Sequence, residues 1–166
     1  MLLHTAYAVS LFSQTFLIET RDEIPRKAMR PSQRIQITAL ETGIMDILFD
    51  KGYIVFDRMS IRGGKSTAMM DREAIEFAIK QDAELLLVLV PGRQGALWSL
   101  VRVEDAQKLG DGFVDISVID HGGGEMKRWI SLGNSLAIAS LSVLDKPPRN
   151  SDDADLRGPQ GIWRSK

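Results

Sequence analysis

Leu85-Leu-Leu-Val-Leu-Val90 is apolar at every position. A strand with one face in water alternates apolar and polar residues, so an uninterrupted run belongs to a strand covered on both faces, at the centre of a sheet. The chain must therefore supply covering helices. Ile37, Leu40, Ile44, Ile47 and Leu48 recur at helical spacing and form one apolar face. That helix should begin near Pro31-Ser32, where proline suits the first turn, and stop at Lys51-Gly52, where glycine accepts the left-handed residue after the last turn. Met70, Ala74, Phe77, Ala78 and Gln81 space out a second helix of about three turns.

The strands to be covered follow from β-rich runs bounded by turn chemistry. Thr15–Ile18 reads as the first, leaving through charged Glu19–Glu23, with Pro25 interrupting any ladder. Tyr53–Phe56 reads as the second. After the central run, Pro91-Gly-Arg-Gln-Gly95 is a turn, and Ala96–Val103 a strand with Leu97, Val101 and Val103 on one side. Asp105–Asp111 reads as a loop. Phe113–Asp120 alternates, with Val114, Ile116 and Val118 inward and Asp115 and Ser117 outward. His121–Gly124 then reads as a hairpin tip, Glu125–Leu132 as a return strand, and Asn134 as the cap of a last helix through Leu144. The expected class is α/β (α+β): a single mixed sheet with element order β-α-β-α-β-β-β-α, parallel through the helical crossovers and antiparallel afterwards.

With 166 residues, 44% hydrophobic and 26% charged, the chain is sized for one core. The expected division is a single domain over 15–146 and a flexible tail over 147–166, whose PPRNSDDADLRGPQGIWRSK is too polar to extend the core. Residues 1–14 read as a truncated signal peptide. Met1–Phe12 is apolar and far short of the roughly 20 residues that span a bilayer, Ala6-Tyr-Ala8 fits the A-x-A cleavage pattern, and Ser13-Gln14 offers a second boundary. The positively charged leader is missing, as it would be if the true start lay upstream. The expected location is periplasmic or secreted, with the cytoplasm as the alternative, and no transmembrane segment is expected.

Twenty-one basic against twenty-two acidic residues give a net charge of −1, which provides no field for a polyanion, so no nucleic acid is expected as partner. Arg21, Arg26, Lys27, Arg30 and Arg34 crowd together, as a solvated loop and helix start commonly do. The absence of cysteine excludes disulfides and thiolate chemistry. Two histidines, His4 and His121, are too few for a histidine metal site or a triad. Gly63, Gly64, Lys65, Ser66 and Thr67 look like the end of a phosphate-binding P-loop between strand and helix, but the glycine needed at 59 is Met59, and the central strand ends in Pro91 with no carboxylate for magnesium. His121-Gly-Gly-Gly124 is similar to an oxyanion-hole segment, yet the chain holds no G-x-S-x-G nucleophile elbow. The carboxylate pairs Asp22-Glu23, Glu104-Asp105 and Asp152-Asp153 all fall in loops or tail. No catalytic residue, metal or cofactor is expected.

Ile44-Met-Asp-Ile-Leu-Phe-Asp-Lys-Gly-Tyr-Ile-Val-Phe-Asp-Arg58, the Ala74–Val90 helix-to-strand step and the Asp120–Glu125 turn resemble the periplasmic domains of bacterial envelope lipoproteins of the CsgG, LpoB and TolB N-terminal type. The likeness covers roughly residues 15–145 and is one of pattern; the lipobox cysteine of those proteins is absent here, and no binding residue is carried over. It implies a non-enzymatic envelope binding or assembly module acting through a protein surface, with another envelope protein as partner. The residues assigned to that surface are Lys127, Arg128 and Trp129 on the return strand, which is expected to lie at an open sheet edge; Trp129 turned into the core is the competing reading. The alternative function is a nucleotide- or phosphate-binding enzyme using the Ser60–Thr67 loop.

Overall fold

The computed structural model describes residues 14–21, 29–58, 71–119 and 122–145. Strands β1 (Thr15–Thr20), β2 (Ile54–Asp57), β3 (Leu85–Pro91), β4 (Gly95–Arg102) and β5 (Gln107–Asp115) form one sheet in the order β2-β1-β3-β4-β5. β1 pairs in parallel with β2 and β3; β4 and β5 follow as an antiparallel meander. The helices are α1 (Pro31–Asp50), α2 (Asp71–Lys80) and α3 (Gly124–Leu144), with a 3-10 turn at Ile116–Val118 before α3. This is the expected mixed sheet and class.

The strand order explains why both faces are covered. From β1 the chain crosses to β2 on one side, and from β2 it returns past β1 to β3 on the other. Right-handed crossovers in opposite directions put their helices on opposite faces. α1 accordingly packs Leu40, Ile44 and Leu48 on the face of Phe16, Ile18, Leu87 and Leu89, where α3 adds Trp129, Leu132 and Leu136. α2 packs Ala74, Phe77 and Ala78 on the other face, over Leu17, Leu86 and Val88. β3, third of five strands, is thus apolar throughout for the reason its sequence implied.

α1 starts and stops where expected. Pro31 occupies its first turn, the Gln33 side chain accepts the Arg30 N–H at 3.0 Å, and Gly52 turns out of the helix at φ 84°. α1 and α3 run side by side in the same direction, Gln36 bonding Glu125 and Gly43 meeting Ile130 and Gly133 further along. Their backbones touch at this crossing. A Cβ on Gly43 would lie 2.1 Å from the Ile130 carbonyl oxygen, and one on Gly133 would lie 2.2 Å from that of Leu40.

The C-terminal third departs from expectation. Glu125–Leu132 is the first part of α3, not a return strand, and Gly124, assigned to a hairpin tip, opens the helix; His121 lies outside the described residues. The buried residues Trp129, Leu132, Gly133, Leu136, Ala137 and Ser140 keep one helical stripe across both segments. β5 begins at Gln107, inside the stretch assigned to a loop, and ends at Asp115, leaving Val118 exposed. On β4, Leu97 and Val101 share the α2 side as expected, with Leu97 exposed, and Ala96, Trp98 and Leu100 lie against the main core. β1 runs past Ile18 through Glu19 and Thr20, both buried.

Candidate functional site

In a doubly wound sheet, ligands sit beyond the carboxyl ends of the strands, where successive connections leave toward opposite faces. Here β1 and β2 send their helical connections to opposite faces, and next to them lies the carboxyl end of β3, which turns directly into β4. A cleft of about 620 Å³ opens beside it, walled by the β3–β4 turn and by the first turns of α1 and α3. Such a volume is in the range of small-molecule sites. Met29, Ile37 and Trp129 give the cleft its apolar wall, and Arg93, Arg128 and Glu125 its charges. Because α1 and α3 are parallel, both begin at this cleft.

Arg128 is half-buried and fixed: its Nε and Nη2 both donate to the Ile116 carbonyl, at 3.3 and 3.0 Å. Arg93 sits exposed on the turn after the central strand. Glu125 already accepts a hydrogen bond from the Gln36 carboxamide. Asp115, which caps the 3-10 turn, is held below the usual carboxylate range by the Ser117 backbone N–H, by the Ser117 hydroxyl and by the nearby Arg128 charge. A carboxyl with a depressed folded pKa adds stability above its ordinary value of 3.8 and loses it as pH falls through the folded value. Asp115→Ala should therefore lower the Tm by a few degrees at neutral pH. The gap to the parent should close in thermal melts taken progressively below pH 3.8.

The opposite face carries a second feature. α2 packs over β1 and β3, and among the described residues no helix lies over β4 and β5 on its side. Cross-strand register aligns Val90 with Leu97 and Leu97 with Phe113, giving one apolar row, 37, 52 and 51% exposed. A groove of about 480 Å³ lies alongside, with Ile75 and Val88 among its lining and the Lys108–Asp111 ion pair at its edge.

The expected partner-binding residues are separated by the helix that replaces the strand. Lys127 is exposed and reaches the Gly122 carbonyl, Arg128 turns to the 3-10 turn, and Trp129 is buried in the core at 7% exposure. Arg128 and Trp129 line the cleft; Lys127 does not. The sheet edge expected there belongs instead to β5. Gly63, Gly64, Lys65, Ser66 and Thr67 lie outside the described residues, as do His4, His121 and the segments 1–13 and 146–166. Sequence reasoning missed Arg93 and Gln36. The signal for Arg93 was its place on the turn leaving the central strand of a wound sheet.

Among the described residues no three His, Asp or Glu side chains converge as metal ligands, and no helix is long and apolar enough to cross a membrane. No protein-family profile and no curated protein matches the chain. Among solved structures, it is similar to lipoprotein GNA1162 from Neisseria meningitidis, with 14% identity and a TM-score of 0.44 over 80% of this chain and 99% of that one. It is also similar to the PelC dodecamer from Paraburkholderia phytofirmans: one crystal form gives 16% identity and a TM-score of 0.39 over 80% of this chain and 86% of that one. A PelC variant dodecamer gives 10% identity and a TM-score of 0.43 over 75% and 86%. These are distant likenesses, from which no site residue is carried over.

Proposed function

We propose that this chain is a non-enzymatic binding or assembly module of a bacterial envelope, acting through a protein surface formed by the uncovered half of its sheet. The observation that carries the reading is the row Val90–Leu97–Phe113, three large apolar side chains aligned across β3, β4 and β5 on a face that no helix among the described residues covers. Single exposed apolar residues are ordinary, but a contiguous row beside a groove is the form an interaction site takes. β5 is the edge of the described sheet next to the same row, so an apolar strand or helix of a second envelope protein could both pair and pack. The envelope location rests on the apolar N-terminal segment and the order of elements.

A photo-crosslinking residue at Leu97, expressed in the native host and followed by cell fractionation, tests this reading. The expected result is one discrete adduct in the envelope fraction, absent when the crosslinker replaces exposed Glu73 on α2 and lost when Phe113→Asp is added. A folded Phe113→Asp protein that captures the same partner equally well would overturn the surface assignment.

A further inference from the structure

We propose that the cleft between the first turns of α1 and α3 is a binding site for a small organic anion, a carboxylate carried on a flat apolar body. It lies on the other side of the sheet from the row Val90–Leu97–Phe113 and does not depend on the function proposed for that row.

Position, shape and charge each point the same way. The cleft lies beyond the carboxyl end of β3, next to β1, at the end of the sheet where wound sheets bind ligands. Its volume of about 620 Å³ accommodates a small organic molecule. The wall formed by Met29, Ile37 and the Trp129 indole offers a body apolar contact.

Among the described residues, two guanidiniums, Arg93 and Arg128, share this cleft with one carboxylate, Glu125. Glu125 is engaged by Gln36, so its charge is partly answered from α1. Asp115, close enough to Arg128 to feel its charge, is answered by Ser117. Arg128 is held by the Ile116 carbonyl through Nε and Nη2, which sets its plane before any ligand arrives. Arg93, on the surface of the β3–β4 turn, can close over a carboxylate with the planar fork that suits that group. Both parallel helices also begin here, adding the positive ends of their dipoles to the same field. A cation would meet two guanidiniums, and a small inorganic anion would leave the indole wall unused. An aryl carboxylate uses both.

The test is an NMR titration of the full 15N-labelled chain with 1-naphthoate, its neutral counterpart 1-naphthamide, and inorganic phosphate. Naphthoate should move amides of residues 29, 30, 32–37, 92, 93, 116 and 124–129 and leave those of Leu97 and Phe113 in place. Naphthamide should bind at least about tenfold more weakly, since it lacks the charge-assisted contact. Arg93→Gln, a surface change that leaves the core intact, should weaken naphthoate about tenfold while leaving naphthamide unchanged. Leu97→Ser should alter neither. The site is refuted if naphthoate moves no cleft amide at millimolar concentration. Amide binding as tight as the acid, indifference to Arg93→Gln, or phosphate binding as tightly as naphthoate would each overturn the assignment of ligand class.

Discussion

Gly133→Ala should destabilise the fold by about 3 kcal/mol or more, at the upper end of overpacking costs, although alanine is the better helix former by about 1 kcal/mol. The sign is decided by the crossing of α1 and α3, where the new Cβ would lie 2.2 Å from the Leu40 carbonyl oxygen and 3.0 Å from the Ile44 nitrogen. Both atoms are backbone and cannot swing away, so α1 must lift from α3 and loosen Leu40, Ile44, Leu132 and Leu136 together. Gly43→Ala meets the Ile130 carbonyl in the same way. The two changes spoil one contact, so the double variant should lose less than the sum of the singles. Urea unfolding followed by far-UV circular dichroism checks both statements; a Gly133→Ala protein as stable as the parent would show that the helices are not in backbone contact.

A second large effect is expected from the ion pair of Glu19 and Arg58, whose side chains are 1 and 5% exposed at the carboxyl ends of β1 and β2. Removing one member of a buried pair leaves the other charge desolvated, which typically costs about 3–5 kcal/mol. Arg58→Met and Glu19→Leu should each lose that much in urea. The double variant should lose clearly less than the two losses combined, since no isolated charge of the pair remains. Strict additivity of the two substitutions would mean that the side chains do not share an interaction.

The same residues show where sequence was informative and where it fell short. β3 and α1 were legible because burial on both faces and a helical stripe each leave a local pattern, and because Pro31 and Gly52 mark the helix ends by their own backbone chemistry. Glu19 was not legible as a core residue. A charge reads as solvated unless its partner is known, and Arg58 is 39 residues away. Glu125–Leu132 was misjudged because Gly133 and Asn134, poor helix formers, look like a boundary between elements. Gly133 is there because α1 presses on it, a reason that lies on another element. Alternation grouped Leu97 with Val101 on one side of β4, but it does not say which of the two sides a helix will cover, and Leu97 is exposed. Of the cleft, Arg128 and Trp129 were singled out, though for a strand edge that is not there; Arg93 and Gln36 join them only once β3 stands beside β1.

The place of β1 between β2 and β3 bears on how this chain is put together. β1 leaves the ribosome before either neighbour, yet among the described strands it alone joins β2 to the rest of the sheet. Until β3 emerges some 65 residues later, β1 and β2 are a pair held by α1 with one long edge open. The β3–β5 meander, by contrast, is built from neighbours in sequence and can form at once. Assembly is therefore a meeting of two parts along one seam, β1 against β3 from Phe16–Leu85 to Thr20–Leu89. Substitutions along that seam should slow refolding more than equally destabilising ones inside the meander, because the seam closes the longest loop in the sheet.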